Sequence, residues 1–144
     1  MSSGINFLKR QNNLIKNNDK LAKFIKEYGY DKCHFLSKAI AEHYKLKNII
    51  CFYFEKSEEV IHSGVFLRGS VVDARGISDI KEIQDFYDNT NIITNKYNLH
   101  GKCCFTILNK NDFDPNIFYI NNVNIKYDDL VKQYVIFFGE PVST

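Results

Sequence analysis

The hydrophobic positions of this chain change period twice. In the first third they recur at steps of three and four: Ile5, Leu8, Ile15, Leu21, Phe24, Ile25 and Tyr28. That is the spacing of one helical face, and it predicts helix over 5–28. The polar run Asn17-Asn18-Asp19 divides it in two, with Asp19 as N-cap of the second half and Gly29 as its stop. A second run, Phe35, Leu36, Ala39, Ile40 and Tyr44, predicts helix over 33–45. Cys33 then lies in the first turn of that helix or just before it.

The middle of the chain is rich in β-branched and aromatic residues. It predicts strands over 48–55, 59–67 and 70–74, with turns at Lys56-Ser57-Glu58 and Arg68-Gly69. The two-residue Arg68-Gly69 link suits a tight antiparallel hairpin. Helical spacing returns over 78–87, where Ile80, Ile83, Phe86 and Tyr87 share a side. Further strands are predicted over 102–108 and 116–120, and a terminal helix over 127–138. No repeat or linker interrupts this order, so the reading is a single domain over 1–144. Helices first and a meander second give an α+β layout, with N-terminal helices packed on a mainly antiparallel sheet.

Composition narrows the partners. The chain has 144 residues, enough for one core. Nineteen Lys and Arg against 17 Asp and Glu leave a net charge of +2, so no basic field calls for nucleic acid. No apolar run approaches the roughly 18 residues that span a bilayer, so no membrane partner is expected. The first residues lack the pattern of a secretory leader. The expectation is a cytoplasmic protein, or one delivered into another cell by a route that needs no leader. The four cysteines Cys33, Cys51, Cys103 and Cys104 are expected as free thiols, with the adjacent Cys103 and Cys104 pointing to opposite faces of a strand. No C-x-x-C or H-x3-H pair is present, so neither a metal nor another cofactor is expected.

The candidate chemistry centres on Cys33. A thiol becomes a strong nucleophile as thiolate, and a helix N-terminus and a neighbouring imidazolium both favour that form. His62, on the second strand, is the candidate imidazole. Asp73 lies on the far arm of the Arg68-Gly69 hairpin and is the candidate that orients it. Pairing about that turn sets Asp73 opposite Phe66 or Gly64, one diagonal step from His62. An oxyanion would be met by the backbone N–H of Cys33 and a donor from the Gly29-Tyr30-Asp31 turn, with the Tyr30 hydroxyl as a candidate. Arg75 either recognises a substrate carboxylate or phosphate or pairs with Asp31 or Asp79. His34 reads as a first-turn surface residue and His43 as an exposed helix residue. His100 is a loop residue and the substitute base should His62 not serve.

The segments GYDKCHFLSKAIAEHY (29–44) and VIHSGVFLRGSVVDARG (60–76) carry a resemblance. A Cys opening a helix, a strand with His-x-x-Val and a strand ending in Asp resemble the transglutaminase-like branch of the papain-like cysteine hydrolases and acyltransferases. The resemblance implies that fold core and a thioacyl-enzyme. It makes Cys33 the nucleophile, His62 the general base and then acid, and Asp73 the orienting group. Ser63 and Gly64 stand where transglutaminases often carry an aromatic residue, which weighs against amine transfer more than against the triad. From about Ile77 onward nothing matches the family.

Two functions follow. One is a thiol-dependent enzyme acting on an amide bond of a protein or peptide substrate, as peptidase, amidase, deamidase or acyltransferase. The other is a non-catalytic binding module or inhibitor, of phage or effector type, that uses the same fold to engage a host or partner protein.

Overall fold

A computed structural model describes residues 16, 18–57, 59–94, 101–119 and 124–141, without the side chains of 31 and 90–94. The helix expected over the first residues and the loop histidine His100 lie outside these. The described residues form four α-helices and one five-stranded antiparallel sheet. The α+β class read from the hydrophobic pattern is therefore the class of the fold.

Helix α1 runs Asp19–Lys26. Its N-cap is Asn18, not Asp19: the Asn18 side chain accepts from the Leu21 N–H at 3.0 Å. Asp19 instead sits in the first turn, where its charge suits the exposed N–H groups. The chain does not stop at Gly29. It passes through a π-helical turn, Glu27–Asp31, closed by Lys32 N–H to the Glu27 carbonyl at 2.7 Å. This wider turn redirects the backbone, and helix α2, Cys33–His43, starts afresh at Cys33. Lys45, at φ 54°, ends the following turn and leads into the sheet.

The strands are β1 (Asn48–Phe54), β2 (Val60–Leu67), β3 (Ser70–Asp73), β4 (Gly76–Asp79) and β5 (Cys103–Asn109). Their order across the sheet is β4-β3-β2-β1-β5. Arg68 and Gly69 both have positive φ, 52° and 82°, the geometry of a type I′ hairpin. The register is Val65↔Val72 and Phe66↔Val71, which continues to Gly64 opposite Asp73. Strand β4 was not expected. Residues 76–79 pair with β3 before helix α3, Ile80–Thr94, begins. Glu82 accepts from the Asp79 N–H at 3.3 Å and so marks that helix start.

The strand expected over 116–120 is a 3-10 turn, Pro115–Phe118. Pro115 cannot donate to a ladder, and Asp114 accepts from the Asn116 N–H at 3.0 Å, which curls the backbone. Helix α4, Tyr127–Phe138, occupies the expected range.

Neighbouring residues of β1 enter two different cores. Ile49 and Cys51 join Val65 and Val72 under α1, α2 and α4, through Phe24, Leu36, Ile40, Leu130 and Tyr134. Ile50 and Phe52 join Val71 on the opposite face, under Ile83 and Phe86 of α3. The sheet is therefore covered on both faces. β1 and β3 end, and β2 begins, at one end of it, and the start of α2 reaches this end.

Candidate active site

Cys33, His62 and Asp73 meet at that end, each placed by a different local device. Cys33 is set by the π-turn, which makes it the first residue of a new helix. His62 stands beside an irregularity in β2: Phe52 pairs with His62 but Tyr53 pairs with Val60, so Ile61 is the additional residue. Asp73 is the last residue of β3. Gly64 lies between His62 and Phe66 on β2, and a Cβ there would run into Val71 and come within 3.6 Å of the Asp73 Cβ. The missing side chain lets the two acidic and basic partners approach across the hairpin.

His62 Nε2 lies 2.8 Å from Asp73 Oδ2. The imidazole is buried, and its Nδ1 forms no regular hydrogen bond among the described residues, which leaves that nitrogen to the thiol. Burial is the largest influence on the Cys33 thiol and pushes its pKa up. The hydrogen-bonding contacts of His34 and His62, and the charges of both rings, outweigh it and bring the thiol down to about 5. For His62, burial works against the charged ring, but the Asp73 carboxylate and the Cys33 thiolate raise its pKa to about 9. Asp73 is held below the usual carboxylate range: its burial is outweighed by the hydrogen bond and charge of His62, and by Arg75. Near neutral pH the arrangement is a thiolate–imidazolium pair backed by a carboxylate.

Tyr30 and Arg75 stand beside this pair in different ways. The Arg75 N–H donates to Asp73 Oδ1 at 2.9 Å, and Arg75 Nη1 lies 3.9 Å from Asp73 Oδ2. Nη1 also donates to the Gly29 carbonyl at 3.3 Å. Arg75 is buried and ties the end of β3 to the turn that carries Cys33. Gly29 permits that approach, since a Cβ there would come within 3.3 Å of the guanidinium. The guanidinium lies 4.4 Å over the exposed Tyr30 ring. The Asp31 side chain lies outside the described residues.

Four further groups enter the site that the sequence reading did not assign to it. His34 was expected at the surface but is buried, with Nδ1 3.8 Å from Cys33 Sγ and 2.7 Å from Ser63 Oγ. Its ring stacks on Phe118 at 3.9 Å between centroids. Ser37 Oγ lies 3.1 Å from Ser63 Oγ and donates to the Cys33 carbonyl at 3.0 Å. Tyr87, on α3, has its ring 5.9 Å from that of His62. Burial pushes the Tyr87 hydroxyl far up, so it stays protonated as a donor. The signal for the serines was available: Ser37 lies one helical turn from Cys33, and Ser63 is a small polar residue in an otherwise apolar strand. His43 is exposed, as expected, in the last turn of α2 near Asp128 at 3.6 Å.

All four cysteines are free thiols. Burial pushes Cys51 and Cys103 up to about 12, so Cys33 is set apart from both. Beside the site runs a groove of about 450 Å³, with Cys51, Val60, Phe113 and Phe118 in its wall and Glu59 and Asp112 on its rim. It reaches the surroundings of Cys33 through Phe118, which stacks on His34. No family model matches this chain, and neither a curated protein nor a solved structure matches it.

Proposed function

We propose that the protein is a thiol-dependent enzyme acting on an amide bond through a thioacyl intermediate, in the manner of the transglutaminase-like cysteine hydrolases and acyltransferases. The observation that carries this reading is the buried His62–Asp73 contact of 2.8 Å, with the other imidazole nitrogen left to a thiol at a helix N-terminus. In this mechanism the Cys33 thiolate attacks the amide carbonyl. The C–N bond breaks, and the leaving amine takes the proton from His62 Nδ1. Water or an acceptor amine then attacks the thioester, gives its proton to His62, and releases Cys33. In this reading the first-turn N–H groups of α2 meet the developing oxyanion. The substrate is a protein or peptide segment, and in this reading the apolar groove beside Phe118 receives it.

The test is a panel of peptide, glutamine-containing and small amides, read by product mass and by an acyl adduct on the intact protein. The adduct is expected on Cys33, with turnover lost in Cys33→Ala and His62→Ala. Full turnover in Cys33→Ala contradicts the proposal.

A second reading is a binding module on the same fold. The edge strand β5 favours it, because Phe105 and Ile107 are exposed there at 39% and 41%. An extended partner segment could add to such an edge. In that case the biological effect survives Cys33→Ala and is lost in Ile107→Lys.

A further inference from the structure

Hydrogen-bond direction in the polar cluster beneath Cys33 fixes a proton. Ser37 Oγ lies 3.0 Å from the Cys33 carbonyl, which can only accept, so the single hydroxyl proton of Ser37 is committed there. Ser63 Oγ, 3.1 Å from Ser37 Oγ, must then be the donor of that pair. With its own proton given away, Ser63 can only accept from His34 Nδ1 at 2.7 Å. The chain of three bonds therefore requires a proton on Nδ1 of His34, whatever the state of Nε2. That N–H points at Ser63 Oγ, and Cys33 Sγ, 3.8 Å from the same nitrogen, is the longer, second acceptor beside it.

We infer that His34 is a second positioning histidine, held by Ser63 and Ser37 with its protonated Nδ1 shared between Ser63 Oγ and the Cys33 sulfur, where it favours the thiolate independently of His62. The inference rests on the reading of Cys33 as nucleophile and adds a group that this reading does not need. A lone pair on Nδ1 would repel a thiolate; a donor attracts it. The relay removes that ambiguity, and stacking on Phe118 keeps the ring from turning. The cluster is buried, with Ser37 and Ser63 almost completely covered, so water does not compete for these bonds. Other groups also act on the sulfur: His62 from β2, Cys51 from β1 and Tyr87 from α3. Of these, only His62 is a cation near neutral pH. His34 is thus the neighbour on the nucleophile's own helix, one residue along, and the third polar device around the thiol after the helix start and His62.

The experiment follows the ultraviolet thiolate absorbance that Cys33→Ala removes, as a function of pH. His34→Phe keeps a ring of similar shape and deletes the donor. It is expected to raise the midpoint of the Cys33 titration by about one pH unit, the loss of one shared hydrogen bond to a charged group. His34→Asn returns an N–H near the same position and is expected to recover most of the shift. A structural role alone would not separate these two variants in this way. Nitrogen-15 spectra of the unaltered protein give a reading that needs no variant, with Nδ1 of His34 expected to carry the proton. An Nδ1 without a proton, or equal midpoints for His34→Phe and the parent, overturns the inference. If the parent midpoint is low and His34→Phe leaves it there, the nucleophile reading survives and only the role of His34 falls. A parent midpoint at the ordinary value of 9.0 removes both.

Discussion

At Cys33 two influences of opposite sign meet. Burial favours the neutral thiol, while His34 and His62 favour the thiolate and prevail. The same contest at His62 ends with the charged ring, because Asp73 and the thiolate outweigh burial. The thiolate–imidazolium form, the active one in the proposed reaction, therefore exists between the two values. Amide turnover is expected to rise with pH through about 5 and fall through about 9, checked by a pH–rate profile with the best substrate of the panel. Asp73→Asn keeps the shape of the orienting group but removes the charge that favours the imidazolium. It is expected to lower turnover on the order of 10³–10⁴-fold while leaving the fold intact. That Cys33, His62 and Asp73 come together was legible because each carries distinctive chemistry and the hairpin turn fixed the spacing of His62 and Asp73. His34 was not, since a helical wheel alone turns it away from Cys33. Its burial comes from Phe113 and Phe118, which the chain brings back from far along the sequence.

The elements divide by how local their causes are. The β2–β3 hairpin was readable because a two-residue turn sets the register, and the register set Asp73 against Gly64. Helix α4 was readable from its periodic face. Strand β4 was hidden because four residues leading directly into a helix carry almost no period of their own. The turn Pro115–Phe118 was misread because its apolar residues resemble a strand until the Asp114 side-chain bond is seen. Gly64→Ala tests how strictly the hairpin depends on an empty position. The added methyl meets Val71 and approaches the Val72 carbonyl at 3.0 Å. A loss of about 1–3 kcal/mol is expected in denaturant titrations, with weakened His62–Asp73 contact. Asn18→Ala removes the cap of α1 and is expected to cost about 1 kcal/mol in the same assay, without altering the thiol titration.

For the molecule as a whole, the ion pair links stability to pH in a way that identifies it. Between about 5 and 6.5 the folded chain holds a Cys33 thiolate where the unfolded chain holds a thiol, so folding releases a proton and stability rises with pH. Between 6.5 and about 9 the unfolded chain has lost the His62 proton but kept the thiol proton. The folded chain has kept the first and lost the second, so the two contributions cancel and stability is level. Cys33→Ser removes the thiol from this balance and leaves His62 raised by Asp73. Its stability is expected to fall as pH increases above 6.5, in contrast to the level parent curve, in denaturant midpoints measured across that range. Among the described residues no helix is long and apolar enough to cross a membrane. The most direct test of the account is the charge state of Cys33 itself, read from the carbon-13 shift of its Cβ as pH is varied. The account predicts a thiolate with a midpoint at about 5. A Cβ that keeps its thiol shift until the ordinary value of 9.0 would contradict it.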